Sequence, residues 1–161
     1  THPRPSAITA FRTVPSLGHH MAVIETAVYA THVVFAGLLT GSVLFAALTV
    51  PGIAANVSTS VRESIAGTLR NVSRASAVLL VLTGGYMLTL GGYTDSGVLT
   101  GTGRGHAVLG MVVLWFLLTG VTEAAGGRIE SGEDATPFLY GGAVLAVALL
   151  VDAGWLVATS L

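Results

Sequence analysis

The chain has 161 residues, of which 52% are hydrophobic and 9% charged, against about 25% charged in an ordinary soluble domain. Seven Arg, no Lys and eight acidic residues leave a formal net charge of -1, so no basic field exists to hold a nucleic-acid backbone, and no nucleic-acid partner is expected. The absence of Cys removes disulfides, thiolate ligands and Cys nucleophiles, and leaves His, Met, Asp and Glu for any metal.

Long stretches carry no charge at all, and apolar runs of about 18 residues or more are what a hydrocarbon core of about 30 Å requires. The expected fold is therefore all-α: an integral membrane antiparallel four-helix bundle over residues 21–161, behind an extramembrane arm of residues 1–20. The arm holds Pro3, Pro5 and Pro15 and no sustained apolar period, which suits a surface tail. It lacks the basic region, short apolar stretch and cleavage site of a signal peptide, so the first apolar helix is expected to be retained.

The first span, about residues 21–50, is uncharged from Thr26 onward apart from the titratable His32, and is expected to stop at Pro51-Gly52. The second, about 75–93, begins after Arg70 and Arg74 and ends at Gly91-Gly92 and Asp95. The third, about 105–122, lies between Arg104 and Glu123. The fourth, about 137–160, starts on Pro137, a favoured first-turn residue, and contains the single charge Asp152. Short connections between them predict antiparallel neighbours. Arg62, Arg70, Arg74 and Arg128 fall on one side, and Arg4, Arg12 and Arg104 on the other. That excess favours a plasma-membrane protein with both termini on the outer side. Gly37-x-x-x-Gly41 has the small-residue spacing that lets helix backbones approach in lipid, and Tyr93 and Trp155 suit an interfacial belt.

Ionisable residues inside spans are costly and mark functional sites. In an antiparallel bundle His32, Tyr86, Met87, His106 and Asp152 all fall in the same, outer half of the bilayer. Glu25, Tyr29 and His32 form one helical stripe on the first span, because residues three and four apart share a face. Two histidines on different helices suit the axial positions of a haem iron, and His32 and His106 are the expected pair. Tyr29, Tyr86 and Arg104 are expected to line a haem or quinone pocket. Asp152 is expected to pair with Arg104, to fix the tautomer of a ligating His, or to relay protons. The alternative metal is copper, on His32, His106, Met87, Met111 and the tail pair His19 and His20, since thioether and imidazole suit soft and borderline ions.

The segments "THVVFAGLLTGSVLFAALTVPG", "RNVSRASAVLLVLTGGYML" and "GTGRGHAVLGMVVLWFLL", taken together, resemble the CopD-like (copper resistance D) membrane domain over about residues 31–125. The architecture is also similar to that of the HemJ-type haem b membrane proteins. The resemblance places His32 at the family's span-one His, Thr83, Gly84 and Tyr86 at its second-span segment, and Gly103 and Arg104 at the start of its third span. It implies haem b held by the span-one His. The wider group often carries a Lys further along span three; here no Lys exists, and His106, one turn nearer the surface, stands in its place. Three functions follow as expectations. The first is a haem b protein passing electrons between a membrane quinol and an external redox protein; the second is a copper-handling membrane protein. The third is a non-catalytic subunit docked to other membrane subunits.

Overall fold

The computed structural model describes residues 16–53 and 56–159, with side chains from Met21 onward. His19 and His20, expected as copper ligands, therefore have side chains outside the described residues. The elements are α1 (Ser16–Ile53), α2 (Thr59–Leu90), a short α3 (Val98–Gly101), α4 (Gly103–Ser131) and α5 (Thr136–Ala158). No strand occurs among the described residues. The four long helices close a ring in which α1 and α4 each pack against both α2 and α5. All four are long and apolar enough to cross a membrane.

Large apolar side chains cover the outside of this ring. Leu48 is 82% exposed, Val144 70% and Phe45 68%. A helix that is apolar all round loses no stability by this if its outer solvent is lipid rather than water. Inside, the apolar residues fall into two clusters. One joins Leu39, Val43, Leu80, Leu118, Ala146 and Leu149. The other joins residues nearer the opposite end, among them Val50, Ala66, Leu69, Ile129 and Leu139.

Helix boundaries depart from the expected spans where charge is concentrated. α2 begins at Thr59, well before the expected 75, and α4 runs on to Ser131, beyond the expected 122. The charges that suggest loops in the sequence are matched across the two helices: Arg74 makes a two-pronged pair with Glu123, at 3.1 and 2.8 Å, and Arg70 bonds Glu130. Paired in this way, the polar turns stay helical and cover the apolar residues beneath them. α1 also runs past Pro51 to Ile53, because a proline this close to the helix end costs a single backbone hydrogen bond. The second span is replaced beyond Leu90 by turns and α3, which is tucked against the start of α4. At Gly105 any Cβ would collide with the backbone carbonyls of Val98 and Leu99. The same corner is fastened by Thr102, whose side chain accepts a hydrogen bond from the Gly105 N–H at 2.9 Å.

α5 starts behind Asp134, which accepts the Thr136 N–H at 2.9 Å. Hydrogen bonding from the Thr136 side chain and backbone holds the Asp134 carboxyl below its ordinary 3.8, and Arg128 adds attraction. A carboxyl lowered in the folded state stabilises the fold above its unfolded value, and that contribution disappears as pH falls through the folded value. Asp134→Asn is therefore expected to lower the melting temperature at neutral pH and to make no difference once the carboxyl is protonated in wild type. Melts followed by circular dichroism at neutral and acid pH check this.

Gly37 and Gly41 lie on the outward face of α1, with nothing within 4 Å of a Cβ at either position. They do not pack the helices of this chain together. That role falls to Gly142, where a Cβ would sit 2.9 Å from Val43 Cγ1 and 3.6 Å from Val121 Cγ1, so α5 meets both α1 and α4 there.

Candidate functional site

His32 is partly buried on α1, and its Nδ1 lies 2.8 Å from the Thr83 Oγ1 of α2. The Thr83 hydroxyl has one hydrogen, and the Leu79 carbonyl 2.6 Å away takes it. The Thr83 oxygen therefore accepts from His32, and Nδ1 carries the imidazole hydrogen. Nε2 makes no hydrogen bond among the described residues. This is the arrangement by which a metal-ligating histidine is oriented: one ring nitrogen donates to a fixed acceptor and the other faces the metal. α2 meets the ring at Gly84, where a Cβ would lie 3.3 Å from His32 Cε1. Any larger residue there would press on the imidazole.

Three contacts place the other polar groups. His32, early in α1, meets Thr83, late in α2; Arg74, in the first half of α2, meets Glu123, late in α4; and a Cβ at Gly110, early in α4, would lie 3.9 Å from the Asp152 Oδ2 of α5. His32, Thr83, Gly110 and Asp152 therefore gather toward one end of the ring. The Gly142 contact with Val43 fixes the level more closely. His32 lies eleven residues before Val43 and Asp152 ten residues after Gly142, so both stand about 15 Å from that contact at helical rise. Asp152 Oδ2 is buried and has no hydrogen-bond partner. Neither has the Trp115 Nε1 of α4. The His32 imidazole and the orphaned Asp152 oxygen thus lie above the Leu39, Leu80 and Leu118 cluster, and Trp115, with its orphaned indole N–H, packs against that cluster. Buried polar groups left without partners are rare and call for an explanation.

The remaining sequence candidates are less closely drawn in. His106 and Arg104 are exposed at the start of α4, and among the described residues no hydrogen bond or ion pair links either to His32 or Asp152. Tyr29 is 47% exposed and lines a shallow groove of ≈ 700 Å³ on the outside of α1, with Glu25, Val33 and Val34. Tyr86, Met87 and Met111 are partly buried. No group of three or more His, Asp or Glu close enough to hold a metal ion occurs among the described residues. Trp115 is the site residue that sequence reasoning missed, because an indole in an apolar run signals packing and its orphaned N–H is visible only once the helices are assembled.

No protein-family model matches the chain, and no curated protein or solved structure matches it either.

Proposed function

We propose that the chain is a multi-pass membrane protein, an antiparallel four-helix bundle, that binds haem b through His32 and carries electrons between a membrane quinol and an external redox protein. The observation that carries this reading is the His32 hydrogen bond to Thr83, which orients the ring and leaves Nε2 without a hydrogen bond among the described residues. The other residues fit the group. Gly84 and Gly110 keep side-chain bulk out of the interior, and the Trp115 N–H is an unmatched donor for a carboxylate. His106 is the one other histidine whose side chain is described, and it would be the second residue to hold the group. The architectural similarity to the HemJ-type haem b membrane proteins points the same way.

When bound, haem supplies one reversible electron at a time, with a potential set by its axial ligands and surroundings. The chain supplies the rest. Thr83 holds the imidazole in the Nδ1–H form, the Leu39, Leu80 and Leu118 cluster excludes water from one side, and Asp152 takes up or gives a proton at Oδ2 as charge in the site changes. The Tyr29 groove offers a quinol an approach from lipid, with Glu25 at its polar end. In the proposed embedding the end bearing Arg62, Arg70, Arg74 and Arg128 faces inward and both termini face outward across the plasma membrane.

The visible spectrum of the protein purified in detergent, oxidised and then dithionite-reduced, tests the reading when metals are measured on the same sample. A Soret band with sharp reduced α and β bands is the expected result. A colourless protein that stays colourless after incubation with haemin overturns it, and copper in that sample transfers the site to the copper reading.

A further inference from the structure

α2 turns one continuous face inward, and two of its inward residues are serines with nothing to bond. Ser73 and Ser76 are both 0% exposed, and neither Oγ has a hydrogen-bond partner. This is not how hydroxyls behave elsewhere in the same bundle. Thr40, Thr83 and Thr122 each donate to the carbonyl four residues back, at 2.8, 2.6 and 2.7 Å, the usual refuge of a hydroxyl inside a helix.

Thr40 and Thr122 share the level of the two serines. From the His32 to Thr83 bond, eight residues forward along α1 reaches Thr40 and seven back along α2 reaches Ser76. From the Arg74 to Glu123 pair, one residue back on each helix reaches Ser73 and Thr122. Thr40 is 2% exposed and Thr122 1%, so all four oxygens face the interior. On α2 and α4 the level lies between the two apolar clusters, with Leu69 and Ala125 in one and Leu80 and Leu118 in the other; on α1, Thr40 lies within the second, between Leu39 and Val43.

We infer that Ser73 and Ser76, with Thr40 and Thr122, form an internal hydration site that holds ordered water inside the bundle. Each serine brings a free donor and two lone pairs, and each threonine, its hydrogen already spent, brings a lone pair. A buried water makes about three hydrogen bonds, within a range of two to four, and this ring supplies them. Charge decides against an ion. Among the described residues no unpaired carboxylate or cation stands at this level: Arg74 is paired with Glu123 at its rim, and Arg70, which leans across Gly126 one turn away, is paired with Glu130; a buried ion without a counter-charge is far more costly than a neutral water. The site stands on the same α2 face as Thr83, two turns from it, and Leu80 separates them.

Radiolytic hydroxyl labelling, which oxidises side chains beside bound water, is read by mass spectrometry on the full chain in detergent. Leu69 and Leu80 are buried and flank the site; Leu149, equally buried and remote from it, is the reference. Oxidation of Leu69 or Leu80 at least about five-fold faster than Leu149 is expected, falling to the Leu149 rate in Ser73→Ala/Ser76→Ala. Equal rates at the three leucines in wild type overturn the proposal. The melting temperature gives a second readout with opposite signs. Removing two partners of a bound water lowers it by about 2–4 °C per serine, whereas deleting dry, unpaired hydroxyls raises it or leaves it unchanged, which also overturns the proposal.

Discussion

If His32 holds haem as proposed, His32→Ala is expected to give a colourless purified variant whose far-ultraviolet dichroism keeps the helical signal of the wild type. The loss is expected to be complete because His32 would supply the bond to the iron, and no other described imidazole approaches Thr83. The retained fold follows from position: His32 lies outside both apolar clusters, and its removal leaves Thr83 still bonded to Leu79. His106→Ala separates the two coordination states. If His106 completes the axial pair, the variant keeps haem but loses the sharp low-spin α and β bands; an unchanged spectrum assigns the iron to His32 alone. A His32→Ala protein that retains a full complement of haem would falsify the assignment.

Leu118→Ala is the most destabilising single change expected. Leu118 is 0% exposed and reaches within 4.0 Å of a Cβ placed at Gly142, so it fills the space where α4, α5 and α1 meet. Truncation of a buried leucine costs about 2–5 kcal/mol, and more where the surroundings cannot collapse. Here Val43 and Val121 already stand against Gly142, and the helices cannot move closer without clashing. Unfolding by titration from mild detergent into dodecyl sulfate measures the loss. A change below about 1 kcal/mol would mean that the helices close over the gap.

Much of the helical frame is legible in the sequence, because a run without charge is a one-dimensional signal. The four apolar spans are found as four long helices, and the gathering of His32 and Asp152 toward one end follows from chain reversal alone. What the sequence hides is pairing. Arg70 and Arg74 end a span when read singly; their partners on α4, 60 and 49 positions away, are not visible from the local sequence. For the same reason Gly37 and Gly41 advertise helix contact by spacing yet face outward, while Gly142 makes the close approach without any motif. Thr83 is quoted in the motif that resembles the CopD-like domain, yet its use as the imidazole's acceptor depends on where its hydrogen goes. Ser73 and Ser76 look like ordinary helix serines until the assembled helices close them off from the outside.

The paired charged turns of α2 and α4 also govern how the molecule answers a change in its surroundings. α2 spans 32 residues, about 48 Å, so a bilayer of about 30 Å takes up only part of it. In the proposed embedding the Arg74 to Glu123 rung marks the waterline, and the Arg70 to Glu130 rung stands one turn outside it. Thickening the lipid on that side would draw the nearer rung into hydrocarbon, and thinning it would bare the apolar turns above. In that embedding the two rungs would serve as a depth gauge, holding the protein at one vertical position and favouring membranes of one thickness over others.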